Sequence, residues 1–223
     1  MSDADVLHTT AGDLPLDEVE LALGGRVWRI LHTGAVISQA EEIAFLRGEQ
    51  TTKRPYGLVV WPAAIALAHQ LATLPLAGLR ILELGAGTGL PGIVAASLGA
   101  RVVQTDRQQL VLHVCRRNAE RNAITTIEHR LADWTAWDDR ERYDLVIGSD
   151  ILYAEPLHPA LRRIFDDNLA AGGRVLLADP FRETSVTLLE AMEADGWRVA
   201  LDKWTVGITP PPRAVGVFTL TRA

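Results

Sequence analysis

Four glycines within ten residues mark a candidate ligand-binding loop. The segment Glu83-Leu-Gly-Ala-Gly-Thr-Gly-Leu-Pro-Gly92 follows a short apolar run and precedes a helix-length apolar segment. Glycine permits tight turns and lets backbone amides approach a ligand closely, and the first amides of a helix have no partner within that helix. The pattern therefore predicts a loop that binds an adenosine-type ligand.

The loop has two functional interpretations, depending on which glycines are counted. Gly87-x-Gly89-x-x-Gly92 matches a dinucleotide fingerprint, and Asp106 ends the next apolar run, where an acid that binds ribose is expected. Glu83-x-Gly85-x-Gly87-x-Gly89 instead matches the first motif of methyltransferases that use S-adenosylmethionine (SAM). A glycine turn that only joins a strand to a helix is the structural alternative, which the spaced acid disfavours.

Asp150 and Tyr153 form a second candidate site just past another apolar run. Ligands of open α/β sheets bind at the carboxyl ends of the strands, so these side chains are expected to face the reacting groups. Tyr153 can supply an aromatic wall and a hydroxyl group, and Asp150 can supply a hydrogen-bond acceptor. A polar loop anchor is the structural alternative for Asp150. The pair is the leading catalytic candidate.

Several segments resemble the class I, seven-strand SAM methyltransferases, and more narrowly the family-16 methyltransferases, over about residues 55–182. The most specific are Trp61-Pro-Ala-Ala, ahead of the glycine loop, and Ser149-Asp-Ile-Leu-Tyr153. The others are the loop itself, Leu90-Pro-Gly-Ile93, Thr105-Asp106, Asn118 and Asn122. The members of this family are largely protein-lysine methyltransferases, including the enzyme that modifies the β subunit of electron-transfer flavoprotein.

The resemblance implies that SAM is the cofactor, that S-adenosylhomocysteine is the product, and that the acceptor is a lysine side chain of another protein. The residues that it implies in cofactor contacts are Trp61, the Gly85-Ala86-Gly87 backbone, Asp106, Trp134 and Ser149.

Chemistry suggests a role for the main polar and aromatic candidates. Asp106 is suited to accept both ribose hydroxyls, because hydrogen bonds to a carboxylate are strong. Trp134 is expected against the adenine, with ordinary core packing as its alternative, and Asp133 can accept from the adenine amino group. Glu83 can hold either the loop amides or the ligand ammonium.

Methyl transfer to lysine requires a neutral amine. A free lysine has a pKa of about 10.4, so deprotonating it at pH 7 costs about 4.6 kcal/mol. Burial lowers the pKa of an amine, whereas a nearby carboxylate raises it. Asp150 is therefore better suited to capturing and aiming the ammonium than to acting as a strong base, and positioning is expected to supply most of the acceleration.

The segment Asp179-Pro-Phe-Arg182 follows a later apolar run and resembles the Asp-Pro-Gly-Arg of the flavoprotein-modifying branch, with Phe181 in place of glycine. Asp179 and Arg182 either line the acceptor entrance or serve as a helix cap and an exposed cation. Two other functions remain open. One is a small-molecule amine N-methyltransferase, similar to the nicotinamide-modifying enzymes. The other is an NAD-binding oxidoreductase, against which the chain offers no second mononucleotide-binding half.

The elements that must position these residues alternate regularly from Gly78 onward. Strands are predicted at 79–84, 101–105, 127–131, 143–148 and 173–178, and helices at 91–98, 108–122, 157–169 and 184–195. Continuous apolar strands indicate a parallel sheet covered on both faces. The last two runs, 198–206 and 214–221, lie too close together for a crossover and must pair antiparallel. The expected fold is a Rossmann-like, doubly wound α/β sheet of seven strands, mostly parallel with an antiparallel C-terminal strand.

The N-terminal part is expected to complete this single structural domain. Residues 1–18 are interpreted as a flexible acidic tail, and 19–77 as a hairpin around Gly24-Gly25, a polar linker and a helix from Pro62 that packs on the core at 78–223. The uncharged stretch 55–79 has the length of a bilayer span. Its prolines and the His69-Gln70 pair favour a buried helix instead.

Composition limits the remaining classes. The formal net charge is −6, which argues against a nucleic-acid partner because such partners attract a basic face. A single cysteine excludes an internal disulfide, and no pair of the six histidines has metal-ligand spacing, so no metal site is predicted. The acidic N-terminus is followed by no secretory signal pattern. We expect a cytoplasmic monomer without membrane association.

Overall fold

The computed structural model describes residues 6–9, 12–34, 56–207 and 212–222. The strands in these ranges are β1 (Val6–Thr9), β2 (Gly12–Pro15), β3 (Asp17–Leu23), β4 (Arg26–His32), β5 (Arg80–Leu84), β6 (Arg101–Asp106), β7 (Glu128–Leu131), β8 (Tyr143–Ser149), β9 (Leu169–Asp179), β10 (Trp197–Val206) and β11 (Arg213–Arg222). The α-helices are α1 (Pro62–Leu71), α2 (Leu90–Ser97), α3 (Gln109–Arg121), α4 (His158–Asn168) and α5 (Glu183–Ala194).

Seven of these strands form one sheet in the order β10-β11-β9-β8-β5-β6-β7. Strand β11 is antiparallel to both of its neighbours, and the pairs from β9 to β7 are parallel. This topology confirms the predicted sheet with its antiparallel C-terminal strand. One boundary differs, because β9 begins at Leu169 and not at the predicted residue 173, and its pairing with β8 shifts register between Tyr143 and Leu145.

The central strands β5 and β8 are buried on both faces, and alternate side chains enter two separate cores. On β5, Ile81 packs into the core that α1 and α2 cover, whereas Leu82 and Leu84 pack into the core that α4 and α5 cover. This alternation places Glu83 on the same face as Ile81, beneath α2. The apolar stretch at α1 is therefore an integral layer of the domain. In the part of the chain that the structure describes, no helix is both long and apolar enough to cross a bilayer.

The N-terminal part corrects one expectation and confirms another. The predicted hairpin forms, since β3 pairs with β4 around the turn at Gly24-Gly25. The tail proposed for residues 1–18 is wrong for the described residues, because β1 pairs with β2 and β3 begins at Asp17. Leu7 and Leu16 are buried in a small third core, which explains why this segment is ordered. The acidic composition of the segment gave no indication of these two buried leucines. The predicted polar linker lies outside the described residues.

Candidate functional site

The central position of β5 creates a crevice at the carboxyl ends of the strands. From β5 the chain passes to β6 and β7 on one side of the sheet, whereas β8 and β9 lie on the other side. Loops that leave neighbouring strands in opposite directions open a crevice between them, where open α/β sheets bind ligands. The glycine loop follows β5, and Asp150 follows β8, so both candidate sites share this edge.

The glycine loop has a backbone that other residues rarely adopt. Gly85, Gly87 and Gly89 have φ angles of 65°, 56° and 84°, in the left-handed region where only glycine is unstrained. A Cβ atom at Gly85 would lie 2.9 Å from Cγ2 of Ile151 and 3.3 Å from Cζ2 of Trp134. Ala86 donates its backbone N–H to the carbonyl of Thr105 at 2.9 Å, which ties the loop to β6. The structure therefore confirms a glycine-dependent cradle at the end of β5.

Glu83 lies behind this loop and holds it from below. Its side chain is 1% exposed, and Oε2 accepts the backbone N–H of Gly92 at 3.1 Å and the Nε2 amide of Gln104 at 2.7 Å. Burial raises the pKa of Glu83 to about 8, against the lowering effect of these two hydrogen bonds. Glu83 was predicted to hold either the loop amides or the ligand ammonium. The structure supports the first role, since the buried carboxyl group accepts the backbone N–H of Gly92 at the start of α2.

Asp106 and Trp134 converge on the same loop from neighbouring strands. Asp106 is the last residue of β6, and its carboxylate accepts the backbone N–H of Gln108 at 3.0 Å and that of Gly87 at 3.4 Å. Burial raises the pKa of this half-buried carboxyl group above its ordinary value. The Trp134 ring, just past β7, lies against Gly85. The glycine loop, Asp106 and Trp134, which were predicted from separate segments of the sequence, are thus brought to one place.

Trp61 and Asp133 have local partners in addition to their predicted roles. The indole Nε1 of Trp61 donates to the carbonyl of Tyr56 at 3.1 Å, in a turn whose Gly57 carbonyl would lie 3.3 Å from a Cβ at Gly87. Asp133 is exposed and accepts the hydroxyl and the backbone N–H of Thr135, which lower its pKa. Asp133 therefore caps a short helical turn, and its contact with an adenine stays a prediction.

Asp150 lies in an ion-paired cluster on the other side of the crevice. Ser149 ends β8 beside Ala178 of β9, and the backbone N–H of Asp150 donates to the Ala178 carbonyl at 2.9 Å. The Asp150 carboxylate accepts Nη2 of Arg182 at 2.5 Å. Tyr153 follows three residues later and is exposed. Arg182 is therefore paired and largely buried, which excludes the exposed cation that was its structural alternative.

Three residues support the loop through contacts that were not expected from the sequence, and one of them, Asn118, was noted there only as part of the family resemblance. Gln104 joins Glu83 to the Gly89 carbonyl, which accepts from Nε2 at 2.8 Å. Cys115, the single cysteine, donates its thiol to the Gly87 carbonyl at 3.1 Å. Asn118 donates to the Thr88 carbonyl at 2.9 Å. A polar residue within the apolar run 101–105 was a signal for Gln104, but no local pattern indicated the contacts of Cys115.

The antiparallel β11, the glycine loop after β5 and the acid that ends β6 define the fold as that of the class I, seven-strand methyltransferases. The chain belongs to the lysine methyltransferase family, whose profile matches residues 41–194. This membership replaces the oxidoreductase alternative.

Two relatives show different extents of similarity. Protein N-lysine methyltransferase METTL21A of Danio rerio is 37% identical over 127 residues, which cover 53% of this chain and 58% of that protein. The histone-arginine methyltransferase METTL23 of Xenopus laevis is 31% identical over 206 residues, which cover 88% of this chain and 83% of that protein. The chain thus spans less than two thirds of the METTL21A relative.

Solved structures share the fold at low sequence identity. A methyltransferase from Pyrococcus furiosus has a TM-score of 0.60 at 23% identity, covering 82% of this chain and 94% of that chain. The magnesium protoporphyrin IX methyltransferase ChlM of Synechocystis PCC 6803, solved with bound SAM, has a TM-score of 0.58 at 16% identity and covers 72% and 78% of the two chains.

Proposed function

We propose that the protein is a SAM-dependent N-methyltransferase that acts on a lysine side chain of another protein. The observation that carries the proposal is the family match over residues 41–194 in a chain whose glycine loop and Asp150 share one edge of the sheet. The proposed acceptor is a second protein. We further propose that the enzyme works as a monomer in the cytoplasm.

The residues at the loop fit SAM. At Gly85 any side chain would collide with Ile151 and Trp134, so glycine is what lets the loop pack closely against these two residues. The backbone amides of a glycine loop that opens a helix can approach a ligand closely. Asp106 offers a carboxylate at the strand end, which suits a pair of ribose hydroxyls, and the Trp134 ring beside Gly85 suits an adenine face. SAM supplies an electrophilic methyl group when it is bound.

The residues of the chain contribute positioning and charge. Asp150 follows β8 at the crevice and is suited to capture the acceptor ammonium and to aim its nitrogen. The amine must lose its proton before transfer, and a carboxylate opposes that loss by favouring the charged form. The proton therefore leaves to water, and Tyr153, which is exposed at the same edge, supplies an aromatic wall for the acceptor chain.

A second candidate is methylation of an arginine side chain of a protein. It is favoured by METTL23, the relative that covers most of this chain and is named a histone-arginine methyltransferase. A guanidinium group is also a good partner for a carboxylate such as that of Asp150. A small-molecule amine is the third acceptor to be distinguished.

One labelling experiment separates the three acceptors. The protein is incubated with tritiated SAM and a cell extract, and the labelled material is separated into proteins and small molecules. We expect label in a protein band whose hydrolysate contains methyl-lysine. Methyl-arginine in the hydrolysate would establish the second candidate, and label confined to the small-molecule fraction would overturn a protein acceptor.

Calorimetry tests the cofactor independently of the acceptor. We expect the protein to bind S-adenosylhomocysteine and D106A to bind it at least about tenfold more weakly, because charge-assisted hydrogen bonds to the ribose are lost. The control is D166A, which removes an exposed carboxylate on α4 and leaves the affinity unchanged. Equal affinities of D106A and the wild type would contradict the ribose contact, and NAD binding in place of S-adenosylhomocysteine would overturn the cofactor.

A further inference from the structure

Ile151 packs into two gaps that glycine residues leave open. It is 3% exposed and directly follows Asp150, just past β8. A Cβ atom at Gly148 would lie 2.4 Å from Cδ1 and 3.1 Å from Cγ1 of Ile151, and a Cβ atom at Gly85 would lie 2.9 Å from Cγ2 of the same side chain. One buried side chain therefore contacts both a residue of β8 and a residue of the glycine loop.

The glycine at position 148 has a packing reason and not a conformational one. Gly148 lies between Leu84 of β5 and Leu177 of β9 in the sheet, and its φ is not positive, so a residue with a side chain could adopt its backbone. Glycine within a strand weakens the strand and often marks a place where another group approaches closely. Here the approaching group is the Cδ1 methyl of Ile151.

The two sides of Ile151 meet the two parts of the crevice that methyl transfer must align. On one side, the Trp134 ring also closes on Gly85, with Cζ2 3.3 Å from the position of a Cβ atom there. On the other side, the backbone N–H of Asp150 donates to the Ala178 carbonyl at 2.9 Å, which ties the residue before Ile151 to β9. Ile151 is therefore held between the glycine loop and the β8–β9 edge.

Branching at Cβ suits an isoleucine to this position. The Cγ2 methyl lies at the glycine loop, and the Cγ1–Cδ1 arm lies at β8. Two substituents on Cβ restrict the χ1 rotamers, so the two arms keep a fixed relation to each other and to the backbone. Because protein interiors are closely packed, a shift of the glycine loop is expected to move Ile151 and, with it, the backbone at Asp150.

We propose that Ile151 is a positioning residue that sets the distance between the cofactor on the glycine loop and the carboxylate of Asp150. It acts through the two backbone segments against which it packs. A misplacement of about 1 Å can cost about a hundredfold in rate, so the loss of one methyl group from Ile151 should slow transfer. This inference rests on the proposed function of Asp150, and it holds for a protein acceptor and a small-molecule acceptor alike.

The first test measures methyl transfer from tritiated SAM to the acceptor that is labelled in the cell extract. I151V removes Cδ1 and keeps Cγ2 at the glycine loop. We expect the rate at saturating SAM to fall at least about tenfold, while the KM for SAM changes by less than about twofold. The control is I164V, which removes the same methyl group from a fully buried residue of α4 in the same core and should keep the rate.

A compensating substitution separates this role from general core packing. G148A alone adds a methyl group where Cδ1 of Ile151 lies, so it should slow transfer and lower the urea midpoint of unfolding. In G148A/I151V the added methyl group takes the space that Cδ1 leaves, with Cγ1 at 3.1 Å. We expect the double variant to transfer at least about threefold faster than G148A and to unfold at a higher urea concentration.

A second readout needs no acceptor. Nη2 of Arg182 donates to Asp150 at 2.5 Å, so the Arg182 side-chain N–H signals in NMR report the position of that carboxylate. Addition of S-adenosylhomocysteine should shift these signals in the wild type and in I164V, and clearly less in I151V.

The inference is overturned if I151V transfers as fast as I164V, if only the KM for SAM changes, if G148A/I151V is no faster than G148A, or if the ligand shifts the Arg182 signals of the wild type and I151V equally or not at all. Absence of any transfer by the wild type would instead contradict the proposed function, and the Arg182 signals and the urea midpoints would still test the position of Ile151.

Discussion

Glu83 has an environment that favours its protonated form. Its carboxyl group is removed from water beneath α2, and the charge of Asp106 adds to the effect of burial, so that the pKa is raised to about 8. The two hydrogen bonds from Gln104 and Gly92 act in the opposite direction and are outweighed. There is no space for a larger neighbour, since a Cβ at Gly92 would lie 2.3 Å from Oε2 of Glu83. A carboxyl group at this position therefore couples the stability of the loop to pH.

The direction of this pH dependence follows from the pKa values of Glu83 in the folded and the unfolded chain. The unfolded chain loses the Glu83 proton near pH 4.3, whereas the folded chain keeps it up to about pH 8. Between these values the folded state binds more protons, so the contribution of Glu83 to stability is full below pH 4.3 and is lost as the pH rises to 8. For this one group the free energy of unfolding should fall by up to about 1.4 kcal/mol per pH unit.

We predict that E83Q removes this pH dependence. Glutamine keeps an oxygen that accepts from Gly92 and Gln104 but has no proton to lose. Urea unfolding of the ligand-free protein at pH 5.5 and pH 7.5 should show that the stability of E83Q, relative to the wild type, improves at the higher pH. A difference between the two proteins that is the same at both pH values would show that Glu83 is already ionised in the folded state.

At the scale of elements, two asparagines of α3 attach the β3–β4 hairpin to the domain. Asn118 and Asn122 each accept a backbone N–H and donate to a backbone carbonyl on β4, at Leu31 and Arg29 respectively. Four residues of an α-helix rise about 6.0 Å, and two residues of a strand rise about 6.8 Å. The two amides therefore match alternate residues of the strand, as a neighbouring strand would.

Only Asn118 extends this connection to the glycine loop, through the Thr88 carbonyl. We predict that N118A lowers the free energy of unfolding by about 3 kcal/mol and N122A by about 2 kcal/mol, because they leave three and two buried or half-buried backbone groups without a partner. N118A alone should also weaken binding of S-adenosylhomocysteine, by at least about threefold. Urea unfolding and calorimetry check the two effects. Equal affinities of N118A and N122A would show that the loop is held without the hairpin.

At the scale of the whole molecule, the sheet was predictable because its strands are simple in sequence. The runs at β5, β6 and β8 are short, apolar and regularly spaced, and burial on both faces is what such runs indicate. The glycine loop and Asp106 were found for the same reason, since each directly follows a strand. Strands β1 and β2 were missed because two apolar anchors, Leu7 and Leu16, are spread through a polar acidic segment.

The partner of Asp150 was not predictable from local sequence. Its ion pair depends on the register that sets Ser149 beside Ala178, and on left-handed turns at Asp150 and at Phe181, a bulky residue that rarely adopts this conformation. Likewise, Glu83 meets Gln104 only because the two are opposite each other in the β5–β6 ladder. Contacts across the sheet, in contrast to the strands themselves, require the three-dimensional arrangement.

The reactivity of the Cys115 thiol can report opening of the glycine loop. It is the only cysteine of the chain, is fully buried, and donates to the Gly87 carbonyl. Burial raises the pKa of this thiol well above its ordinary value, so the reactive thiolate is scarce as well as covered. An alkylating reagent can therefore reach it only through molecules that have transiently opened.

We predict that iodoacetamide at pH 8 modifies the folded protein at least about a hundredfold more slowly than the same protein in urea. Saturating S-adenosylhomocysteine should slow the reaction further, in proportion to the affinity, because it binds only the closed form. Mass spectrometry of the single alkylated site follows both rates, and rapid labelling of the folded protein would show that the thiol is accessible. The alkylation rate of Cys115 would then measure how often the glycine loop opens, without any introduced label.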